Sequence, residues 1–540
     1  MADLYAILPG ASACKGGAQE VGNKAWNLMR IAQVGLPVPP AFVLPTTWCK
    51  PVQPAGKPTL RQTLSDGIAL LENATGLGFG AARRPLLVSV RSGAAVSMPG
   101  MMATVLNVGL NAETVEALIR FTGNPRLAWD SYRRLVQGYA EVVANLPTTS
   151  FDALVAAALT RGEVEDERDL DHRDLRTLTL AMLDCYRTLT GSAFPADPQE
   201  QLAAATTAVF RSWDAPKAAS YRRLNVISEE AGTAVTVQTM VFGNAGGQSG
   251  SGVAFTRNPA IGTKELYLDF QFNAQGEDVV AGRQQLGDKD LLRLVLPGVW
   301  TRLNDICHDL ETLFRDAQDF EFTVQSGVLF LLQARRAKRT DWAALAIAVD
   351  MVEEGLITPV EALTQLDGID LDAVVRTSFA PPVPEPLAVA QVASIGAASG
   401  AVALDTEAVR RISKAGTPTI LVRQETVTTD IEGMALAAGI LTASGGRTSH
   451  AAVVARQLGK VCLVACPGLE INLDRRQCRI GGTVLNEGDF LSLDGNAGAV
   501  YPGCLPPSIE RPERALAAIA IWRRGSRTRR HRPSSQPQGF

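Results

Sequence analysis

A proline-rich segment divides this chain into two parts. Four of the seven residues from Ala380 to Pro386 are proline. Proline has a fixed φ and no backbone N–H, so neither a helix nor a central strand can run through such a segment. The parts on either side are therefore expected to be tethered rather than fused. We predict a mixed α/β (α+β) protein in which residues 336–385 form a helical and proline-rich linker.

Length and charge narrow the classes of function. The chain has 540 residues, of which 46% are hydrophobic and 20% charged, as is typical of about three globular domains. A net charge of −3 gives no general attraction to nucleic acid or to an anionic membrane. The first residues lack the pattern of a secretory signal, and no apolar run approaches the length of a membrane span. We expect a cytoplasmic protein with no membrane or nucleic-acid partner.

Residues 445–460 predict a glycine-rich loop followed by a short helix. Apolar residues recur there at the helical spacing i, i+3, i+4 and i+7, namely Ala451, Val454, Ala455 and Leu458. Gly459 follows as the expected left-handed cap. This helix places His450 in its first turn.

The first turn of such a helix favours an anion, because its backbone N–H groups are unpaired and lie at the positive end of the dipole. Gly446 allows close approach of the backbone, while Thr448 and Ser449 add hydroxyl donors. A histidine with a pKa of about 6.5 is largely neutral at pH 7, so a ring nitrogen can attack phosphorus. The pattern indicates that His450 carries a phosphoryl group; the plain alternative is a structural histidine at a helix cap.

Two basic residues near the start of the chain adjoin glycine-containing turns. Lys24 follows Gly22-Asn23 in the first turn of a predicted helix. Arg91 lies near the end of the predicted strand 86–93, before the flexible segment 97–102. A strand that delivers arginine into a mobile glycine loop often holds phosphates. The alternative for Lys24 is a solvated surface lysine.

The middle of the chain changes character near residue 230. Residues 112–225 predict mainly helices, whereas residues 232–283 predict strands. The glycine run at 246–252 is either a flexible hairpin loop or a binding loop. There is no Walker-type P-loop in the sequence, so a nucleotide would be held in another way.

Residues 318–335 predict a β-hairpin with polar side chains. These side chains are Asp319, Glu321, Gln333 and Arg335. If the connecting loop has three residues, 325–327, the four share one face of the hairpin. Two carboxylates can hold Mg²⁺, while glutamine and arginine can bind phosphate oxygens. The alternative is an exposed sheet face with a salt bridge.

The last third of the chain predicts a compact β-rich module over residues 386–506 and a basic, disordered tail over residues 507–540. The tail is rich in arginine but has few aromatic residues, which argues against a nucleic-acid site. Within the module, Cys462 and Cys466 are closely spaced. We interpret them as small buried residues rather than as a metal or redox pair.

Several of these segments together resemble the pyruvate, phosphate dikinase and phosphoenolpyruvate synthase family, and more closely its dikinase branch. The matching segments are residues 24–28, 35–40, 90–94, 97–102, 253–259, 273–282, 333–335 and 445–460. The resemblance covers the chain to about residue 505. It implies an ATP-grasp nucleotide-binding domain over residues 1–335 and a swivelling phosphohistidine domain over residues 386–506.

The resemblance also implies roles for individual residues. Lys24 and Arg91 would contact ATP phosphates, and Glu277 would bind the nucleotide. Asp319 and Glu321 would serve both Mg²⁺ and the nucleotide.

A second group of residues would act at the phosphate that is transferred. Gln333 and Arg335 would lie beside it, and His450 would be the nucleophile. In such dikinases the β-phosphorus of ATP is attacked, AMP leaves, and inorganic phosphate takes the terminal phosphoryl group.

The family's third domain is an (α/β)8 barrel that binds pyruvate or phosphoenolpyruvate, and it is not expected within these 540 residues. The acceptor would then be bound on a separate barrel or partner protein. The family also implies a homodimer, to which the barrel contributes. Two alternatives remain: a non-catalytic or regulatory remnant that binds nucleotide, and a phosphotransferase for a non-pyruvate acceptor.

Overall fold

The computed structural model describes residues 4–10, 16–49, 58–96, 98, 101–276, 288–427, 430–446 and 449–530. Helices and strands are mixed throughout them, which confirms the predicted α/β class. The chain divides into two compact units. The first contains residues 1–249 and 323–334, and the second contains residues 250–322 and 335–540. This division differs from the predicted boundaries at 335 and 386, because residues 250–322 belong with the C-terminal half.

The first unit combines short strands with long helices. Its strands are β1 (Tyr5–Ile7), β2 (Ala41–Leu44), β3 (Gly78–Phe79), β4 (Pro85–Leu86), β5 (Val88–Gly93), β6 (Thr104–Val108) and β7 (Ala234–Thr239). Its helices are α1 (Ala18–Val21), α2 (Asn23–Gln33), α3 (Leu60–Thr75), α4 (Ala112–Thr122), α5 (Pro125–Val142), α6 (Thr149–Gly162), α7 (His172–Thr190), α8 (Pro198–Arg211) and α9 (Pro216–Leu224). The run from α4 to α9 confirms the helices predicted for residues 112–225.

A five-stranded sheet in the order β1-β2-β7-β5-β6 forms the centre of this unit. Its central strands are rich in β-branched residues, and Val88, Val90, Val235 and Val237 are fully buried. Helices α5, α7 and α8 contribute apolar side chains to the same core. Strand β5, which carries Arg91, pairs with both β6 and β7 and is therefore held on both sides.

The middle of the chain forms further strands and helices, which belong to the second unit except for residues 323–334. These are β8 (Gly250–Phe255), β9 (Tyr267–Phe272), α10 (Asp288–Val295), α11 (Pro297–Phe314), β10 (Gln318–Gln325), β11 (Val328–Arg336), α12 (Asp341–Glu353), α13 (Pro359–Gln365) and β12 (Arg376–Phe379). Four of the strands form a sheet in the order β11-β10-β8-β9.

The remaining elements follow the proline segment. The strands are β13 (Ala388–Val389), β14 (Gln391–Ser394), β15 (Ala397–Ala403), β16 (Thr419–Arg423), β17 (Gly439–Thr442), β18 (Val461–Val464), β19 (Glu470–Asn472), β20 (Gln477–Ile480), β21 (Thr483–Asn486), β22 (Phe490–Asp494), β23 (Ala499–Pro502) and β24 (Pro507–Glu510). The helices are α14 (Thr406–Lys414), α15 (Ile431–Leu436), α16 (His450–Gln457) and α17 (Glu513–Arg530).

Eight of these strands form one sheet in the order β13-β23-β22-β15-β16-β17-β18-β14. The strands from β15 to β18 are parallel neighbours. Helix α16 connects β17 to β18, as parallel strands require a crossover. The first residue of α16, His450, therefore follows the loop at the carboxyl end of β17, the kind of position where α/β sheets bind ligands.

The predicted linker contains a helix, as expected, whereas the predicted tail contains more secondary structure than expected. Helix α12, which falls in the predicted linker, is largely buried, and its core includes Ala515 and Ile519 of α17. Strand β24 pairs with β12. The structure thus corrects the prediction of disorder for residues 507–530, because apolar residues at i and i+4 give α17 a face that can be buried. Residues 531–540 lie outside the described part of the chain.

Candidate functional site

Lys24 and Arg91 are carried by segments of the first unit that approach each other closely. Lys24 is exposed in the first turn of α2, and Arg91 is partly buried on β5. Gly22, just before α2, has φ 78°, and a Cβ added to it would come within 2.2 Å of the Gly93 carbonyl oxygen. Only glycine permits this conformation and this approach. Gly22 thus allows the start of α2 to lie beside the end of the strand that carries Arg91.

The glycine-rich loop after β7 is anchored to the turn between β10 and β11. The backbone N–H of Gly327 donates to the carbonyl of Gln248 over 2.8 Å. The N–H of Ser326 donates to the hydroxyl of Ser249 over 2.9 Å. Both bonds lie within the first unit. The loop is therefore held in place, which favours a binding loop over a free hairpin loop.

The same loop has a second anchor in a buried ionic cluster. The side-chain amide of Asn244 donates to Oδ2 of Asp130 over 3.0 Å. Arg134 donates to that oxygen over 3.0 Å, and Arg133 donates to Oδ1 over 3.1 Å. Burial alone would raise the pKa of Asp130, but the charges of Arg134 and Arg133 outweigh burial and lower it. This carboxylate is charged and uses both of its oxygens.

The β10–β11 hairpin differs in one respect from the prediction. Its turn has two residues, Ser326 and Gly327, rather than three. Both have positive φ, 49° and 80°, as a tight hairpin turn of the I′ kind requires. The four polar side chains were predicted to share one face of the hairpin only if its loop had three residues. The two-residue turn removes the basis for that prediction. A salt bridge between Asp319 and Arg335 is present, as in the alternative interpretation, but Asp319 is buried rather than exposed.

Asp319 and Arg335 form a salt bridge that uses only one carboxylate oxygen. Nε of Arg335 and its second nitrogen, Nη2, both lie 2.8 Å from Oδ2 of Asp319. Asp319 is only 3% exposed. Its other oxygen, Oδ1, is buried and has no hydrogen-bond partner among the described residues. An unsatisfied buried carboxylate oxygen is costly unless a ligand completes it.

The electrostatics of this pair are unbalanced. Burial raises the pKa of Asp319 above its usual value, and Arg335 only partly offsets that effect. Burial would lower the pKa of Arg335, but the charges of Asp319 and Glu321 outweigh it and raise that pKa. Burial thus outweighs the positive charges of Arg335 and Arg456 that act on Asp319. A cation bound at Oδ1 would stabilise the charged carboxylate further.

Gln333 and Glu321 complete the predicted polar residues of the hairpin. Gln333 lies on β11 and is 3% exposed, whereas Glu321 lies on β10 and is half-buried. Glu321 is close enough to Arg335 for its charge to act on that side chain. Among the described residues, no group of three or more His, Cys, Asp or Glu side chains could hold a metal ion.

The loop before His450 is shaped by glycine and serine. Gly445 has φ 101°, and a Cβ there would lie 3.3 Å from Oγ of Ser449. The N–H of Ser449 donates to the carbonyl of Gly446 over 3.0 Å, and Oγ of Ser449 caps α16 by accepting from Ala452. The predicted helix and the position of His450 in its first turn are thus present, and Ser449 in addition caps the start of the helix.

The buried face of α16 differs slightly from the prediction. Ala451, Ala452 and Ala455 are buried, but Leu458 is 39% exposed and lies beyond the end of the helix. Gly459 has φ 63°, as the predicted left-handed cap requires. The small alanine side chains allow α16 to pack closely on its sheet.

Some predicted site residues lie outside the described part of the chain. These are Glu277 and Thr448, together with Ser97, Pro99 and Gly100 of the predicted flexible segment. Their assignments remain predictions.

Two features of the described residues were not predicted from the sequence. One is the Asp130–Asn244 bond; Asp130, Arg133 and Arg134 do have the i, i+3 and i+4 spacing of helical ion pairs, which could have signalled the cluster. The other is Arg456, which lies on α16 and is only 6% exposed. A lone arginine on a short helix gives no comparable signal.

Cys462 and Cys466 are packed as predicted. Both are buried in the cores of the C-terminal module, at 0% and 2% exposure. Burial raises the pKa of each thiol to about 12. Such thiols are almost entirely protonated at neutral pH and are poor nucleophiles.

No helix among the residues that the structure describes combines the length and apolar character needed to cross a membrane.

Comparison with protein families gives two matches in the order expected. Residues 57–288 match the AMP/ATP-binding domain of pyruvate phosphate dikinase. Residues 416–498 match the mobile domain of PEP-utilising enzymes, and this range contains His450 and helix α16. The predicted layout, an ATP-grasp domain followed by a phosphohistidine domain, fits these matches.

Curated relatives agree over almost the whole chain. The chain is 43% identical over 509 residues to pyruvate, phosphate dikinase of Clostridium symbiosum, which is 93% of this chain and 58% of that protein. It is 44% identical over 508 residues to pyruvate, phosphate dikinase 2 of Zea mays, covering 93% and 57%. The chain thus spans somewhat more than half the length of these relatives. Across the part that it spans, the chain belongs to the pyruvate, phosphate dikinase family.

Proposed function

We propose that this chain is an ATP- and Mg²⁺-dependent phosphotransferase of the dikinase type, which phosphorylates its own His450 and releases AMP. The observation that carries the proposal is the half-satisfied carboxylate of Asp319, which holds Arg335 with one oxygen and keeps the other open. An open carboxylate oxygen beside a guanidinium suits a phosphate group with its bound cation. The matched nucleotide-binding and mobile domains support the same function.

Asp319 and Glu321 fit a magnesium ion. Mg²⁺ is commonly bound by one or two carboxylates together with substrate phosphates and water. Oδ1 of Asp319 is buried without a partner among the described residues, and Glu321 lies two residues along the same strand. When bound, the ion neutralises negative charge on the phosphate oxygens.

The remaining residues would orient the nucleotide. Lys24 and Arg91 contribute positive charge for the phosphates, and Glu277 binds the nucleotide. Gln333 and Arg335 donate hydrogen bonds to the phosphate that is transferred, where negative charge develops. Holding the reactants in line is the main source of rate in phosphoryl transfer.

His450 is the nucleophile. One ring nitrogen attacks the β-phosphorus of ATP, the bond from that phosphorus to the oxygen bridging to the α-phosphate breaks, and AMP leaves with the electron pair. An oxygen of inorganic phosphate then attacks the terminal phosphorus, which leaves phosphohistidine and pyrophosphate. Backbone and hydroxyl groups of Gly446, Thr448 and Ser449 stabilise the phosphoryl group at the start of α16. We propose pyruvate as the final acceptor, bound on a separate barrel or partner.

The test is the intact mass of the protein at neutral pH after incubation with ATP and Mg²⁺, with AMP and ADP both quantified. We expect an acid-labile gain in mass together with AMP. His450→Ala should abolish the gain. His172→Ala is the matched control, because His172 is also the first residue of a capped helix, α7; it should leave the gain unchanged.

The other outcomes distinguish the alternative functions. If nucleotide binds but no mass is gained, the chain is a nucleotide-binding remnant. If His450 is labelled but a supplied pyruvate-binding barrel cannot discharge it, the acceptor is a different compound.

A further inference from the structure

A tyrosine connects the β8–β9 part of the second unit with the module that carries His450. Tyr267 lies on β9 and is 4% exposed. Its hydroxyl donates to the carbonyl of Val392 on β14 over 2.9 Å. The two residues are 125 positions apart and lie on opposite sides of the proline segment. This bond therefore joins two regions that the sequence predicts to fold separately.

Arg456 makes a second connection close to the first. It lies on α16, and one of its terminal nitrogens donates to the carbonyl of Ala393 on β14 over 2.7 Å. Its guanidinium carbon is 5.8 Å from the ring centroid of Phe255 on β8, the range of a cation–π contact. The ring of Phe255 in turn packs edge-on against Tyr267, at 6.0 Å between centroids. Phe255, Tyr267 and Arg456 thus form one small cluster.

This cluster lies near both halves of the proposed chemistry. Arg456 is six residues after His450 on the same helix, about 9 Å along its axis at 1.5 Å per residue. Arg456 is also close enough to Asp319 for its charge to lower the pKa of that carboxyl, against the larger effect of burial. Because a helix this short behaves as a rigid rod, a contact at Arg456 determines where its first turn stands.

We propose that Arg456 is a positioning residue that docks the helix of His450 against strands β8 and β9, with the Tyr267–Val392 bond as the second contact of the same docking surface. The inference rests on the proposed function, in which His450 must come to the nucleotide. A cation–π contact and a single hydrogen bond are weak enough for the module to leave again after the transfer. A permanent interface would instead be larger and more apolar.

The first test separates positioning from binding and from folding. In a single turnover with ATP and Mg²⁺, Arg456→Gln should lower the rate constant for labelling of His450 about 10-fold to 100-fold, as misplacement by about 1 Å can do. Tyr267→Phe, which removes one hydroxyl, should lower it about threefold to tenfold, the factor of one hydrogen bond. The dissociation constant for ATP should stay within about twofold of the original value.

Two further variants control for a merely structural role. Arg456→Lys keeps the charge and a donor for Ala393 but loses the planar group over Phe255. Its thermal midpoint should therefore equal that of the original protein, whereas its rate of labelling should lie between those of the original protein and Arg456→Gln. Arg410→Gln removes an arginine from an exposed pair with Glu432 in the same module, and it should change neither. Labelling at the original rate in both Arg456→Gln and Tyr267→Phe would overturn the proposal.

A second measurement does not depend on activity. Tyr267→Cys and Val392→Cys are combined in a Cys504→Ser background, because Cys504 is an exposed native thiol. A short bismaleimide should link the two introduced thiols within one chain, whereas each single variant should give no link. Absence of the link would overturn the docking contact even if His450 is labelled. A link in a protein that never labels His450 would instead contradict the proposed function and leave the contact standing.

Discussion

Two buried aspartates of this protein have the same exposure and opposite surroundings. Asp130 and Asp319 are each 3% exposed, and each lies beside arginine. Asp130 uses both oxygens, for Arg133, Arg134 and Asn244. Asp319 uses one oxygen for Arg335 and has no partner for the other among the described residues. Partners, rather than burial, distinguish the two sites.

The pKa shifts express the same difference. The pKa of Asp130 is lowered, because its arginines outweigh burial, whereas the pKa of Asp319 is raised, because burial outweighs Arg335. A fully paired buried carboxylate is a structural element, and removing it leaves its partners unsatisfied. A half-paired one is held ready for a ligand, at a cost in stability. We therefore interpret Asp130 as structural and Asp319 as functional.

The largest expected effect is a loss of phosphotransfer activity when Asp319 is replaced. Asp319→Asn should lower the rate of ATP-dependent labelling of His450 about 10²-fold to 10³-fold, the usual loss when one preorganised polar group at a transferring centre is removed. The thermal midpoint should stay the same or rise, because a poorly compensated charge is gone. Rapid-quench labelling and calorimetry measure the two quantities. A large loss of thermal stability in Asp319→Asn would show that Asp319 is a structural residue like Asp130.

The second expected effect is a loss of stability when Asp130 is replaced. Asp130→Asn should lower the free energy of unfolding by about 3–5 kcal/mol, since it removes the buried carboxylate charge that Arg133 and Arg134 share. Arg133 keeps its pair with Glu167 at 2.7 Å. Urea unfolding followed by circular dichroism measures it in the metal-free protein. A loss below about 1 kcal/mol would mean that the cluster is no more than a surface pair.

The pH dependence of stability should differ between the two aspartates, because their pKa shifts have opposite signs. Asp130 ionises more readily in the folded protein, so its contribution should be present above the unfolded pKa of about 3.9 and be lost as the pH falls further. The stability gap between the original protein and Asp130→Asn should therefore narrow only below about pH 4. Asp319 has the raised pKa, so any gain in Asp319→Asn should be present above that raised pKa and should disappear as the pH falls through it. Unfolding curves at a series of pH values test both expectations. If the difference in stability between each variant and the original protein disappeared over the same pH range, the opposite directions of the two pKa shifts would be contradicted.

The smallest expected effect concerns the loop that Asp130 anchors. Asn244→Ala removes one hydrogen bond to a charged group, which is worth about 1.5–3 kcal/mol. Because the glycine-rich loop then loses one of its anchors, the affinity for ATP should fall more than the rate of labelling at saturating ATP. Gln62→Ala provides the control, since it removes an exposed hydrogen bond to Asp66 within helix α3. Equal effects of the two substitutions on ATP affinity would show that the anchor has no role in binding.

Local patterns predicted the parts of the site that depend on neighbours in sequence. Glycine before a helix placed Lys24, the strand pattern placed Arg91, and the loop-helix pattern placed His450 in a first turn. The hairpin that joins Asp319 to Arg335 was also predicted, because the two are only 16 residues apart. Its turn length was not, since two-residue and three-residue turns share the same glycine signal.

Features that depend on distant parts of the chain could not be predicted. Asp130 and Asn244 are 114 residues apart, so their bond follows from tertiary packing rather than from any local pattern. The same holds for Arg456 and Phe255. In the tail, the run of arginines outweighed the spacing of Ala515 and Ile519, although those two residues give α17 its buried face. Charge composition alone misled the prediction there.

The most direct test of the proposed function follows the two phosphates of ATP separately. The protein is incubated with Mg²⁺ and ATP labelled at either the β- or the γ-phosphorus, and label on His450 is measured before and after inorganic phosphate is added. We predict that both labels appear on His450 together with AMP, and that phosphate then removes only the γ-label as pyrophosphate. Transfer of the γ-label alone, with ADP as product, would contradict the dikinase account.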